Sequence, residues 1–264
     1  QFLLIWNHPY NCCFFNFITF NNMFTIKIIK VNATKSTNDK VKLLIKSKKI
    51  NTGQIICAKY QYKGKGQSSK RWYSSYDKNL LCSLYYEFHD LDPRSSYLVN
   101  YAVSLAVLKT VKKFITNKTY IKWPNDILSE NKKISGILIE NTITLKKINN
   151  CVIGVGLNVN QTVFNKLPCA TSLKKLLGKE INVDQVLNEL INNYSFYFHK
   201  INDKEYLTCK YLENLYGLNK CKFQLENRIL NGKIISVLNN GKIRVNLDSI
   251  GINDYNSSEI KIII

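Results

Sequence analysis

Arginine is scarce in this chain. Only Arg71, Arg94, Arg228 and Arg244 stand among 38 basic residues, against 18 acidic ones, for a formal net charge of +20. The excess is lysine, spread along the chain rather than massed in one block. That describes a generally basic surface, compatible with acidic partners and phosphorylated ligands, and does not demand a nucleic-acid groove. Lysine, asparagine, isoleucine and tyrosine are all plentiful here and share AT-rich codons, so base composition alone offers a source for much of the bias. Long apolar runs are missing too. Residues 1–22 hold no Lys, Arg, Asp or Glu, yet Asn7, His8, Pro9 and Asn11 break their apolar character. A membrane span needs roughly 20 apolar residues in a row, and a signal peptide needs a basic start. Methionine occurs once, at Met23. A native start at Met23 is therefore expected, with 1–22 an upstream artefact; real but disordered sequence is the second reading. Of the eight cysteines, Cys12 and Cys13 lie in that segment. Cys57, Cys82, Cys151, Cys169, Cys209 and Cys221 show no paired metal spacing, and they read as buried free thiols in a reducing cytoplasm.

What remains is an ordinary globular composition, 45% hydrophobic and 21% charged, long enough for one large domain or a large and a small one. Alternation predicts strands over 24–31, 54–60, 79–88 and 150–159. Ser36-Thr37-Asn38-Asp39 can cap a helix whose apolar stripe is Val41, Leu44 and Ile45. The longest predicted helix runs 93–115, a short one starts at Thr171-Ser172, and two more cover 183–198 and 204–215. Beyond Gly217 short strands alternate with turns, predicted at Asn231-Gly232 and at Asn239-Asn240-Gly241. The fold class expected is α+β: helices on a mixed, largely antiparallel sheet, then a small β-barrel-like domain.

Three stretches carry chemistry. In Lys122-Trp123-Pro124-Asn125-Asp126, the proline fixes its own φ and holds Trp123 extended, so this piece is not helix interior. The apolar run that follows turns at Ser129-Glu130-Asn131 and resumes after Lys132-Lys133, which places Asp126 and Lys133 on neighbouring strands of a hairpin. Such a pair suits an anionic ligand carried with a metal ion; a solvated surface ion pair is the plain alternative. In the loop Gly64-Lys65-Gly66-Gln67 to Lys70-Arg71-Trp72, glycines let backbone N–H groups approach an anion. A Gly-Lys-Ser/Thr ending that opens a helix is missing, so this is not a P-loop. Asn158, closing Gly154-Val155-Gly156-Leu157-Asn158, stands at a strand end.

Together and in this order, these motifs resemble the biotin–protein ligases (biotin–[acetyl-CoA-carboxylase] ligases). The likeness covers about residues 26–264, from Ser36-Thr37-Asn38 and Gln61 to Ala170-Thr171-Ser172-Leu173. It implies a class II synthetase-like catalytic domain over 23–216 and an SH3-like β-barrel over 217–264. It also implies activation of biotin by ATP, with Mg2+, to biotinyl-5′-AMP, then transfer to a lysine of a biotin carboxyl carrier protein. By resemblance, Lys133, Asp126, Lys65 and Gln67 are catalytic. Ser36, Thr37, Asn38, Gln61, Lys65, Gly66, Gln67, Lys133 and Gly136 bind biotin. Lys70, Arg71, Trp72, Asn125 and Asn158 face the nucleotide, and Asp126 is the candidate metal ligand. Many members carry arginine where this chain has Gln67, and a neutral amide cannot supply that charge; Lys65, Lys70 and Arg71 are close enough in the loop to compensate. Only about 30 residues precede Ser36, too few for the helix-turn-helix domain of repressor members, so the short form is expected, with no specific DNA partner and no membrane. The family commonly pairs through its sheet, which leaves a homodimer open. Two other readings stand: a lipoate or octanoate protein transferase on the same fold, and a non-catalytic basic nucleic-acid-binding protein.

Overall fold

Apolar residues at every second strand position are sorted by the structure onto two faces of one sheet. The computed structural model describes residues 15–20, 24–88, 91–144, 147–165 and 167–264. The large sheet holds β1 (Phe15–Phe20), β2 (Phe24–Thr34), β3 (Gln54–Gln61), β4 (Leu80–Tyr86), β5 (Thr119–Lys122), β6 (Asp126–Ser129), β7 (Lys132–Thr144) and β8 (Lys147–Leu157). Their spatial order is β1-β2-β3-β4-β8-β7-β6-β5. Neighbours run antiparallel except β2 and β3, which are parallel. The helices are α1 (Thr37–Lys46), α2 (Ser96–Phe114), α3 (Leu173–Leu177), α4 (Val183–His199) and α5 (Lys204–Glu213). The parallel β2–β3 step needs a crossover, which α1 supplies, and α2 carries the chain from β4 in mid-sheet to β5 at the far edge.

Alternation then decides what each face buries. On β3, Ile55 joins the main core and Ile56 a smaller one; Leu84 and Tyr85 on β4, and Ile153 and Val152 on β8, divide the same way. The main core is closed by α2 and α4, with α5 packed against α2. Twelve of the nineteen residues of α2 are buried, as expected of a helix covered on most sides. The opposite face carries α1, whose Val41 packs with Ile56, Tyr85 and Val152. Beyond α1 this face loses its side chains: Gly136 of β7 pairs with Gly156 of β8, and Gly154 lies opposite Ser83 and Leu138. The site is built on that bare strip.

After α5 the chain forms β9 (Cys221–Leu225), β10 (Arg228–Val237), β11 (Ile243–Leu247), β12 (Gly251–Tyr255) and β13 (Ile260–Ile263), a separate antiparallel sheet in the order β12-β11-β10-β9-β13. This separate antiparallel sheet agrees with the SH3-like domain expected; among the described residues no pairing joins its edge strands β12 and β13. Tyr255, Leu225 and Lys261 line a cleft of about 580 Å³. The Trp123 indole Nε1 donates to Gly241 O at 3.2 Å, joining the tip of the β10–β11 hairpin to the large sheet.

Other expectations also need correction. Asn231-Gly232 is not a turn; both residues lie inside β10, and the β9–β10 turn falls at Glu226-Asn227, with Glu226 at φ 51°. Gly232 serves close packing instead, because a Cβ there would strike Asn246 O on β11. Ser36 is the N-cap residue of α1 but makes no side-chain cap bond. Cys82, Cys151 and Cys221 are buried free thiols, whereas Cys169 and Cys209 are exposed. Within the segment read as outside the native protein, residues 15–20 form an edge strand paired with β2; residues 1–14 and 21–23, including Met23, lie outside the described residues. No helix among the described residues is long and apolar enough to cross a membrane.

Gly232→Ala is expected to lower stability by about 2 kcal/mol or more, while Asn231→Ala, exposed beside it, stays within about 0.5 kcal/mol. Denaturant titration of the two variants checks this.

Candidate active site

Ser36, Thr37 and Asn38 are all buried where β2 gives way to α1. Gln61, at the end of β3, accepts from Thr37 N at 2.7 Å and from Thr37 Oγ1 at 3.1 Å. Ser83 of β4, fully buried, lies 2.7 Å from Thr37 Oγ1 and 2.5 Å from Asn38 Oδ1. Asn38 Nδ2 donates to Glu140 Oε2 at 2.8 Å and to Leu138 O at 3.3 Å, both on β7. Gly154 makes the seat for Asn38, since a Cβ there would collide with Oδ1.

These contacts fix both amides. The Thr37 backbone N–H compels Oε1 of Gln61 to face it, and two acceptors hold Nδ2 of Asn38. Between the fixed oxygens stand two hydroxyls, making three oxygen–oxygen contacts with two protons to fill them. The array is one proton short. A bound N–H donor relieves that deficit, and an acceptor aggravates it.

The Gly64–Trp72 loop folds over the adjacent glycines. Trp72 N donates to Gly64 O at 3.0 Å and Gly66 N to Lys70 O at 2.7 Å, a small ladder whose tip holds Ser68 at φ 52°. Gly64 is needed there, as a Cβ would approach Trp72 O to 2.6 Å. The Trp72 indole lies on Gly136 and Gly156, where a Cβ at either position would strike the ring. Lys65 pairs with Asp39 of α1 at 2.7 Å, and that bond raises its ammonium above the ordinary lysine range. Gln67 lines a cleft of about 240 Å³ with Asn100, Trp123, Asn125, Leu138 and Gly241.

Next to the indole is a cationic cluster. Lys133 Nζ is 5.5 Å from the Trp72 ring centroid and 2.6 Å from Asp126 Oδ1. Lys122 pairs with Asp126 in the β5–β6 register. Burial pushes its ammonium below the ordinary lysine range; Asp126 pulls it back, while Lys133 and Lys70 push it further down. The turn between is rigidly held. The Trp123–Pro124 peptide is cis, Asn100 Nδ2 donates to Pro124 O at 2.8 Å, and Asn125 Nδ2 donates to Ile137 O at 2.6 Å. Asn158 is buried and donates Nδ2 to Thr171 O at 2.9 Å.

The structure thus gathers Thr37, Asn38 and Gln61 in one polar array with Ser83, while Ser36 is buried next to it in the chain with no side-chain bond into the array. Lys133, Asp126, Gly136 and Trp72 meet beside it, with Lys70 within electrostatic reach. Compensation for Gln67 narrows: Lys65 is engaged with Asp39, and Arg71 donates to Tyr62 O at 3.1 Å and lies over the Tyr73 ring. Lys70 is the loop cation that acts on the cluster. Ser83, Glu140 and a role for Lys122 escaped the sequence reading. Only the packing of α1 on β4 and β7 brings the first two to Asn38. Lys122 had a signal, its position in register with Asp126 across a Pro-Asn turn.

Residues 30–158 match the Biotin/lipoate A/B protein ligase family. The chain is 27% identical over 129 residues to the bifunctional ligase/repressor BirA of Escherichia coli, covering 47% of this chain and 40% of that protein. Over 174 residues it is 31% identical to the chloroplastic biotin–protein ligase 1 of Arabidopsis thaliana, covering 62% of this chain and 45% of the relative. The chain therefore spans less than half the length of these relatives. A biotin protein ligase from Aquifex aeolicus, solved in complex with biotin and ATP, superposes with a TM-score of 0.72 at 23% identity, covering 89% of this chain and 97% of that one. The chain carries a biotin/lipoate A/B protein ligase domain at residues 30–158, set in the fold shared by the biotin protein ligases.

Proposed function

We propose that this protein is an ATP-dependent biotin–protein ligase, with residues 23–216 its catalytic domain and 217–264 its SH3-like domain. The observation that carries the choice of substrate is the proton-deficient array of Thr37, Asn38, Gln61 and Ser83. The cyclic urea of biotin presents two N–H groups to such a site. The dithiolane of lipoate and the alkyl chain of octanoate present none, so the array disfavours the related transferases.

In the first step a biotin carboxylate oxygen attacks the α-phosphorus of ATP, and pyrophosphate leaves with the bonding pair. Negative charge gathers on the α-phosphate, where Lys133, Lys122 and Lys70 supply cations. Lys133 moves from Asp126 to the phosphate, and Trp72, above the glycine pair, keeps water from the mixed anhydride. In the second step the amine of the carrier protein's lysine attacks the acyl carbon and AMP departs. The amine must shed a proton, and Asp126, released by Lys133, is the carboxylate placed to take it. Among the described residues no group of three His, Cys, Asp or Glu is set to hold a metal. An ATP-borne magnesium keeps mostly water and phosphate oxygens and needs one or two carboxylates. Asp126 fits that smaller demand, and the ion would neutralise phosphate charge there.

Biotin-dependent exchange of pyrophosphate into ATP is the expected activity, and Lys133→Ala should lower it roughly 10²-fold or more. No exchange by the unsubstituted chain overturns the enzyme; an unaffected variant overturns the role of Lys133. Desthiobiotin, which keeps the urea, is expected to support exchange, and lipoate and octanoate are not. Exchange with lipoate at the biotin rate would remove the argument from the proton count.

A further inference from the structure

Glu140 has no part in the chemistry above, yet it stands where the polar array is decided. Its carboxylate accepts from Asn38 Nδ2 and pairs with Lys42, one turn along α1. It is 29% exposed, and it adds to the field that Asp39 exerts on Lys65. We propose that Glu140 is a positioning residue that fixes which way the Asn38 amide faces, and thereby makes the site selective for a ligand bearing N–H donors. The inference rests on the biotin ligase reading.

The two ends of an asparagine amide are nearly equal in size, so its partners decide its orientation. Glu140 provides a charge-assisted bond, about twice as strong as a neutral one. The other acceptor, Leu138 O, lies at 3.3 Å, beyond the favoured range. Without the carboxylate, Nδ2 gains more by turning to Ser83, whose oxygen accepts readily. The turned amide brings a third proton. Nδ2 then donates to Ser83, Ser83 to Thr37, and Thr37 to Gln61, so the three short contacts are filled and only the long one to Leu138 O, now faced by Oδ1, goes without a proton. A self-satisfied array has no use for a ligand N–H. One carboxylate therefore separates a site that demands a donor from one that does not. Lys42 supports it by holding the Glu140 side chain in place.

The test is equilibrium binding of biotin to the full chain by calorimetry, with ATP binding and thermal midpoint measured on the same samples. Glu140→Ala is expected to weaken biotin about tenfold or more, leave ATP affinity and the midpoint unmoved, and narrow the preference for biotin over lipoate. Glu140→Gln, whose side-chain carbonyl still accepts from Asn38, should restore most of the affinity. Biotin affinity within twofold in Glu140→Ala overturns the positioning role, and so does an equal loss in Glu140→Gln. An equal loss of ATP affinity would mark a general structural role and overturn it as well. If the unsubstituted chain binds no biotin, the proposed function falls with it; bound biotin that is indifferent to Glu140 overturns this inference alone.

Discussion

Three missing side chains govern the site. A sheet face is ordinarily upholstered by residues that keep the next layer about 10 Å away. At Gly136, Gly154 and Gly156 that layer is absent, and two side chains lie directly on the strands: Asn38 over Gly154 and Trp72 over the other pair. Both come from other elements, α1 and the Gly64–Trp72 loop. The glycines therefore fix how closely helix, loop and sheet approach one another. Everything polar in the site takes its position from that contact. Ser83 reaches two hydrogen-bond partners because α1 sits low, and Lys133 lies beside the indole because the indole sits low.

The electrostatics explain why lysine suits this arrangement. Lys122 and Lys133 share one carboxylate, Asp126, with Lys70 close enough to act on Lys122, so positive charge is in excess there, and burial makes Lys122 resist carrying it. A phosphate group relieves both strains at once. Lysine is a compact point charge on a flexible stem, able to change partners, whereas a guanidinium fork commits to one geometry. On the function proposed, lysine suits a cluster whose members exchange Asp126 for a phosphate. The cost is a loop in which Gln67 brings no charge, leaving Lys70 to serve it.

Much of this was legible in the sequence, for identifiable reasons. Strong periodicity placed α2 and α4 to within a few residues; the proline of Lys122–Asp126 marked the turn that brings Lys122 to Asp126, and Ser129-Glu130-Asn131 the turn that brings Asp126 to Lys133. Local patterns report local structure. They mislead where a residue answers to a distant neighbour: Asn231-Gly232 resembles a turn, but Gly232 is small for the sake of Asn246 on the next strand. Ser83 and Glu140 were invisible for the same reason. Each is an unremarked polar residue until β4 and β7 are laid against α1. The Ser36 cap failed differently, since the residue stands at the right place but its hydroxyl leaves the helix N–H groups alone.

The bond from the Trp123 indole to Gly241 has a consequence for the cleft beneath Gln67. That cleft is walled by the glycine-rich loop, by the Pro124 turn and by the tip of the β10–β11 hairpin, stretches far apart in the chain. Both sheets contribute to its walls, and the indole–Gly241 bond is a direct link between them. Small changes at Asn240 or Gly241, more than a hundred residues beyond the turn they touch, would therefore retune the mouth of the site without altering any residue that does its chemistry.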